Sequence, residues 1–298
     1  MIKQRITRVL SIALSVVIIL ASLCSCDDFN LFDSPNSFKG KLVCYYLDVG
    51  QGDSIFIELP NSQTMLIDSG ENYHGAGIIK YIKKRGYTKI DYLVGTHPHS
   101  DHIGSMAYIV KNFNIGSVYM PKVSTNSRLY ENLLTALKSK KLTAKSGKAG
   151  VKIFDDGDDN LKAEIIAPVK LEKENLNNSS IVLKLTYKNS SFLFMGDAEK
   201  AEVSAIKDDV RADVLKVGHH GSSTSTTKAF LNKVKPSIAV ISCGSHNDYS
   251  HPHKNVLKLL KQIDCEVHRT DKEGTVAVSS DGRSYEVETG LESIVRSK

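Results

Sequence analysis

The chain has 298 residues, 41% hydrophobic and 24% charged, globular proportions that exclude a disordered or collagen-like protein. That length makes one large domain or two small ones, with enough apolar material for a core. The formal net charge of +6 is compatible with a polyanionic substrate without arguing for one.

Taken in chain order, the N-terminus comes first. Lys3, Arg5 and Arg8 precede an uncharged apolar run at 9–23. This is the layout of a secretory signal, and the run falls short of the roughly 20 residues that span a bilayer. It ends in Leu23-Cys24-Ser25-Cys26, and Leu-x-Ser-Cys resembles the bacterial lipobox, which implies lipid on Cys26. Residues 1–26 are therefore expected to be a signal peptide and 27–39 a polar tether. Residues 40–298 would be one domain, anchored to the outer face of the cell membrane. Loss of the three basic residues lowers the net charge to +3. Cys44, Cys243 and Cys265 remain, widely spaced in apolar contexts. They suit buried thiols better than a disulfide framework or a zinc–thiolate site.

Short apolar strands and helices then alternate. Segments 42–47 and 54–59 predict a hairpin around Gly50 and Gly52, with a third strand at 64–67. A helix at 75–85 and a strand at 90–96 follow, the strand running into a histidine cluster. A second round begins near Lys162: a hairpin at 181–187 and 192–195, a helix at 198–207, strands at 213–217 and 237–242, and a helix at 254–263. Two such rounds predict an α/β fold, an αββα sandwich of two mixed sheets packed face to face with helices outside.

The strongest chemical signal is Thr96-His97-Pro98-His99-Ser100-Asp101-His102. Pro98 disfavours the helical conformation at His97, so the stretch starts extended. Residues i and i+2 then point the same way, and His97 and His99 can reach one metal ion. Asp101 and His102 fall where the chain turns into a helix, available to a neighbouring ion. Three imidazoles and a carboxylate suit zinc or a similar first-row ion.

These residues match the H-x-H-x-D-H signature, and the chain resembles the metallo-β-lactamase superfamily. The resemblance implies that Asp197, in Phe194-Met195-Gly196-Asp197, bridges two metals. It implies that His219, in Gly218-His219-His220-Gly221-Ser222, is the final ligand, and that Asp68 supports a ligand histidine. Within that superfamily the chain is similar to the hydrolase domain of ComEC-type DNA-uptake proteins. This rests on Asp48-Val49-Gly50-Gln51-Gly52-Asp53-Ser54, Asn177-Asn178-Ser179-Ser180, Gly196-Asp197-Ala198-Glu199, His219-His220-Gly221-Ser222 and Ser250-His251-Pro252-His253. The β-lactamases proper supply a third histidine to the first metal from between the cluster and the bridging Asp. No histidine occurs here between His102 and His219. The first site would hold only His97, His99 and Asp197; the second would hold Asp101, His102, Asp197 and His219.

The chemistry implied is metal-assisted phosphodiester hydrolysis with one or two divalent ions, zinc or manganese, in a monomeric enzyme. Bound metal lowers the pKa of water to about 7, giving hydroxide at neutral pH. Asn178, Ser179, Ser222 and Ser223 are candidate donors to phosphate oxygens, His251 a candidate acid for the leaving group, and Asp53 a candidate for ordering the site. The substrate would be DNA or another phosphodiester; the alternatives are an acyl or lactam hydrolase and a non-catalytic binding module. Lys80, Lys83, Lys84 and Arg85, with Lys138, Lys140, Lys141, Lys145 and Lys148, are basic clusters that could track nucleic acid.

Overall fold

The computed structural model describes residues 40–157 and 160–295; the signal segment, Cys26 and the tether lie outside them. The chain first lays down β1 (Leu42–Tyr46), β2 (Ile55–Glu58), β3 (Thr64–Ile67), α1 (Gly75–Lys84) and β4 (Lys89–Val94). It continues through α2 (Ser100–Ile103), α3 (Met106–Asn112), β5 (Asn114–Met120), α4 (Arg128–Ser139) and β6 (Ala144–Ser146). A second series follows: β7 (Val151–Asp156), β8 (Leu161–Ala167), β9 (Val182–Tyr187), β10 (Ser190–Phe194), α5 (Lys200–Ala205), β11 (Val214–Lys216) and α6 (Lys228–Val234). Then come β12 (Ile238–Ile241), α7 (Lys254–Lys261), β13 (Glu266–Arg269), α8 (Thr270–Glu273), β14 (Thr275–Ser280) and β15 (Tyr285–Leu291).

Two sheets result, in the orders β15-β14-β1-β2-β3-β4-β5-β6 and β13-β12-β11-β10-β9-β8-β7. Each is antiparallel at one end and parallel at the other: β3 pairs parallel with β4, and β10 with β11. The two predicted rounds are these two sheets, and the last hairpin returns to close the edge of the first. Helical crossovers are what parallel neighbours require, whereas antiparallel neighbours need only tight turns.

Both faces of each sheet are covered, so the central strands read as unbroken apolar runs. On β1, Leu42, Cys44 and Tyr46 enter the core between the sheets. Tyr45 points the other way, its ring 5.9 Å from that of Tyr81 on α1. Tyr46 meets Phe194 of the second sheet, ring centroids 6.2 Å apart. Behind the second sheet, Phe230, Leu231 and Val234 of α6 and Val256 and Leu260 of α7 form a second apolar layer with Leu215, Ala239 and Ile241. The i, i+3 and i+4 spacing of those helix residues makes this stripe. Ser127 and Thr227 cap α4 and α6 by accepting from Tyr130 N and Phe230 N.

Cys44, Cys243 and Cys265 are free and buried. In one basic cluster Arg85 is buried against Glu58 at 2.5 Å, whereas Lys80 and Lys84 are exposed and share Glu292. The helix expected at 198–207 starts later, at Lys200, which leaves Asp197 in a turn.

Candidate metal centre

The chemistry-bearing residues gather at the C-terminal ends of the parallel strands, where an open α/β sheet leaves its crevice. Asp68 follows β3, His97 and His99 follow β4, Asp197 follows β10, and His219 and His220 follow β11. Four imidazoles converge on one carboxylate oxygen. Asp197 Oδ2 lies 3.9 Å from His97 Nε2, 3.3 Å from His102 Nε2, and 3.6 Å from Nε2 of both His219 and His220. His99 joins from the side, its Nδ1 3.0 Å from His97 Nε2. Asp101 Oδ2 is 3.2 Å from His220 Nε2 and 3.6 Å from His102 Nε2.

Each imidazole that reaches Asp197 has its other nitrogen held from behind. His102 Nδ1 donates to Asp68 at 2.8 Å, and Asp68 is fixed by Thr96, whose backbone N–H and Oγ1 donate at 2.8 and 2.6 Å. Because the Thr96 hydroxyl proton goes to Asp68, its oxygen can only accept from His97 Nδ1, 3.2 Å away. His220 Nδ1 donates to the Ser242 carbonyl at 3.0 Å. His219 Nδ1 lies 3.2 Å from Thr224 Oγ1 and 3.4 Å from Glu199 Oε1. A proton fixed on Nδ1 leaves the Nε2 lone pair facing the centre.

The second site differs from expectation in one residue. Ligand atoms of Asp101, His102, Asp197 and His220 all lie within 4.8 Å of one another, so His220 stands where His219 was expected. The cause is the backbone: His219 and His220 both adopt left-handed conformations, at φ 49° and 51°. Such angles are uncommon outside glycine and turn the chain sharply. His220 is thereby driven inward, buried, while His219 stays partly exposed at the mouth.

The sequence profile of the metallo-beta-lactamase superfamily matches residues 47–246. That stretch contains every imidazole just described. The chain belongs to the metallo-beta-lactamase superfamily. Among curated proteins it is 32% identical to ComE operon protein 3 of Bacillus subtilis, over 89% of this chain and 36% of that one. It is 29% identical to Recombination protein 2 of Haemophilus influenzae, over 78% of this chain and 28% of that one. The chain thus spans about a third of these relatives' length. Among solved structures, Igni18, described as a metallo hydrolase from Ignicoccus hospitalis, superposes with a TM-score of 0.51 at 16% identity, covering 80% of this chain and 98% of that one.

Metal-dependent hydrolysis is therefore the superfamily chemistry for which these residues are candidates, and the donor set fits divalent ions. Asp197 Oδ1 and His102 Nε2 are buried without a hydrogen-bond partner among the described residues. Such atoms are costly to bury unless a ligand satisfies them. Mixed imidazole and carboxylate donors suit first-row divalent metals. With no ion bound, burial opposes an ionised Asp197, but the charges of His102 and His220 outweigh it and hold the carboxyl well below its usual range. Burial likewise opposes a charged His220, yet Asp197 and Asp53 push it up to about 10, so a metal ion on its Nε2 would take the place of a proton. His97, lacking such close carboxylates, is pushed well down by burial and by His102.

Other expected residues lie nearby in different roles. Ser179 Oγ accepts from the Glu172 N–H and donates to the Glu172 carbonyl, at 2.7 and 2.8 Å, so it is occupied within its own loop. Asn178 is bonded nearby too, its Oδ1 accepting from Glu199 N and its Nδ2 donating to Glu172. The Ser179 hydroxyl is thus committed to its loop, while Asn178 Nδ2 keeps one N–H beyond its bond to Glu172. Ser222 Oγ is buried beside Thr224 Oγ1, and Ser223 N donates to His253 Nδ1. His251 stands at the mouth, its ring 5.5 Å from that of His219. Burial and then His220 push its pKa down to about 4, which favours the neutral imidazole while no ion is bound.

Asp53 sits beneath the centre, with Oδ2 2.8 Å from Lys216 Nζ and Oδ1 3.4 Å from His220 Nδ1. Burial would raise its pKa, but Lys216 and His220 lower it to about 2. Lys216, Glu199 and His220 were not among the expected site residues. A lysine inside the apolar run of β11 was the available signal, since a charge at such a position needs a buried partner.

Proposed function

We propose that this chain is an extracytoplasmic, metal-dependent phosphodiesterase, with DNA among its candidate substrates. The observation that carries the reading is the convergence of four imidazole nitrogens on Asp197, with Asp101 beside them. Those residues would hold one or two divalent ions. Ions held there would supply a water with a pKa lowered to about 7 and a counter-charge for phosphate oxygens. The chain's own residues fix this geometry. Asp68 holds the His102 tautomer, the Asp53–Lys216 pair backs His220, and Glu199 and Thr224 back His219. His251 lines the approach, where it can orient a substrate oxygen by a hydrogen bond. A relative named Recombination protein 2 favours a nucleic-acid substrate.

The test is turnover by the purified full chain in mild detergent, with plasmid DNA, bis-p-nitrophenyl phosphate and nitrocefin, each with manganese or zinc. Cleavage of either phosphodiester, abolished by chelation, is the expected result. Nitrocefin turnover without phosphodiester cleavage would replace this reading with a lactam hydrolase. No turnover of any of them would favour a binding module. For location, Cys26→Ser is expected to block signal processing and lipid labelling. Two acyl chains on such a cysteine would hold the protein stably at the membrane where one would not. Unchanged processing and labelling in that variant would remove the anchor.

A further inference from the structure

We infer that the adjacent histidines serve different ions: His220 completes the group with Asp101 and His102, and His219 supplies the third imidazole to His97 and His99. The inference rests on the two-ion reading and supplies the ligand that the first site lacked by sequence. Two consecutive left-handed residues splay the pair, with ring centroids 6.1 Å apart and ring planes at 68°. Even so, each Nε2 reaches the same oxygen, Asp197 Oδ2, at 3.6 Å. His220 lies against Asp101, 3.2 Å away, whereas His219 is an imidazole whose charge bears on His99.

The support behind His219 is built as it is behind a ligand. Its Nδ1 faces Glu199 and Thr224, so the free lone pair is on Nε2. Glu199 is itself fixed twice: Asn175 Nδ2 donates to its Oε2 at 2.8 Å, and its backbone N–H donates to Asn178 Oδ1 at 3.2 Å. The asparagine-rich loop therefore reaches the first site at one remove, through Glu199 and His219. A surface histidine with an incidental ion pair would need no such second layer. Glu199 is accordingly a positioning residue for His219.

The test counts ions. The full chain is dialysed against Co²⁺ or Zn²⁺ and its metal content measured by elemental analysis, with circular dichroism to verify folding. Two ions are expected in the unaltered chain and one in His219→Ala. His97→Ala/His219→Ala, a same-site pair, should still hold one. His219→Ala/His220→Ala, which crosses sites, should hold neither at that ion concentration. Glu199→Gln tests the support without removing a ligand, and should weaken one ion's binding by roughly 10–100-fold with the other unchanged. The inference is overturned if the unaltered chain takes up a single ion, if His219→Ala keeps both at unaltered affinity, or if the same-site pair loses both. Ion counts need no substrate, so they stand apart from whether phosphodiesters are cleaved.

Discussion

Asp197 is the residue on which both proposed ion positions depend, with four imidazole nitrogens within 3.9 Å of one of its oxygens. Asp197→Asn keeps the shape and removes the charge. Its turn need not suffer, because the backbone N–H of residue 197 would still donate to Ser180 Oγ, and the cap of α5 is Glu199. Phosphodiester turnover is expected to fall at least ~10³-fold, a barrier increase of about 4 kcal/mol. Bound metal should fall with it, measured on the same preparation. An Asn variant that kept its ions and its turnover would end the bridging assignment. Residue types at this centre were legible, since His97, His99, Asp101 and His102 sit in a spacing that only a metal site explains easily. Which member of the His219–His220 pair points inward was not. Sequence periodicity orients side chains in strands and helices, whereas here two left-handed φ angles in a loop decide it. The loop bonds of Asn178 and Ser179 were not legible for a similar reason: short polar side chains in loops readily bind nearby backbone, as Ser179 does at Glu172 and Asn178 does at Glu199.

The loop between β1 and β2 shows how an element can build a site without entering it. Gly52 has φ 140°, and a Cβ there would lie 2.5 Å from the carbonyl oxygen of Asp101. That carbonyl also accepts from Asp53 N at 3.1 Å, so the loop rests directly on the ligand segment. Gly52→Ala is expected to cost about 1–3 kcal/mol through strained backbone alone. It should also weaken the ion held by Asp101, because the displaced carbonyl belongs to the ligand itself. Gly150→Ala is the control: it too has positive φ, but its Cβ would meet nothing within 4 Å. Equal metal affinity in the two variants, read by titration, would show that the loop's contact with Asp101 does not matter. At this scale the buried strands were legible from unbroken apolar runs, as in Leu42–Tyr46 and Ile238–Ile241. Edge strands were not. Ala144–Ser146 has no buried residue and Val151–Asp156 only one, Ile153, so neither carries an apolar signature.

Across the whole molecule, the two sheets are joined by an apolar core and by one buried ion pair beneath the metal centre. Asp53 comes from the first sheet's opening loop and Lys216 from β11 of the second, 2.8 Å apart and both almost fully buried. Val214 faces the core between the sheets and Leu215 the helices, so alternation turns Lys216 inward. There it would be a charge without water, were Asp53 absent. Lys216→Met keeps the length of the side chain and removes the closer of the two cations beside Asp53, leaving the carboxylate only His220 at 3.4 Å. Removing one partner of a buried pair costs about 3–5 kcal/mol, whereas replacing both by neutral groups can be nearly free. The melting temperature of metal-free Lys216→Met should therefore fall by roughly 6–20 °C, at about 2–4 °C per kcal/mol for a domain of this size. Asp53→Asn/Lys216→Met should recover most of that loss, because neither member of the pair is then left as a charge without its partner. The double variant should still bind the ion at His220 roughly 10–100-fold more weakly, since an outer partner of that ligand is changed. Thermal unfolding separates this from a packing effect. A double variant as unstable as Lys216→Met alone would mean that the methylene stem of Lys216, and not its charge, holds the sheets together at this point.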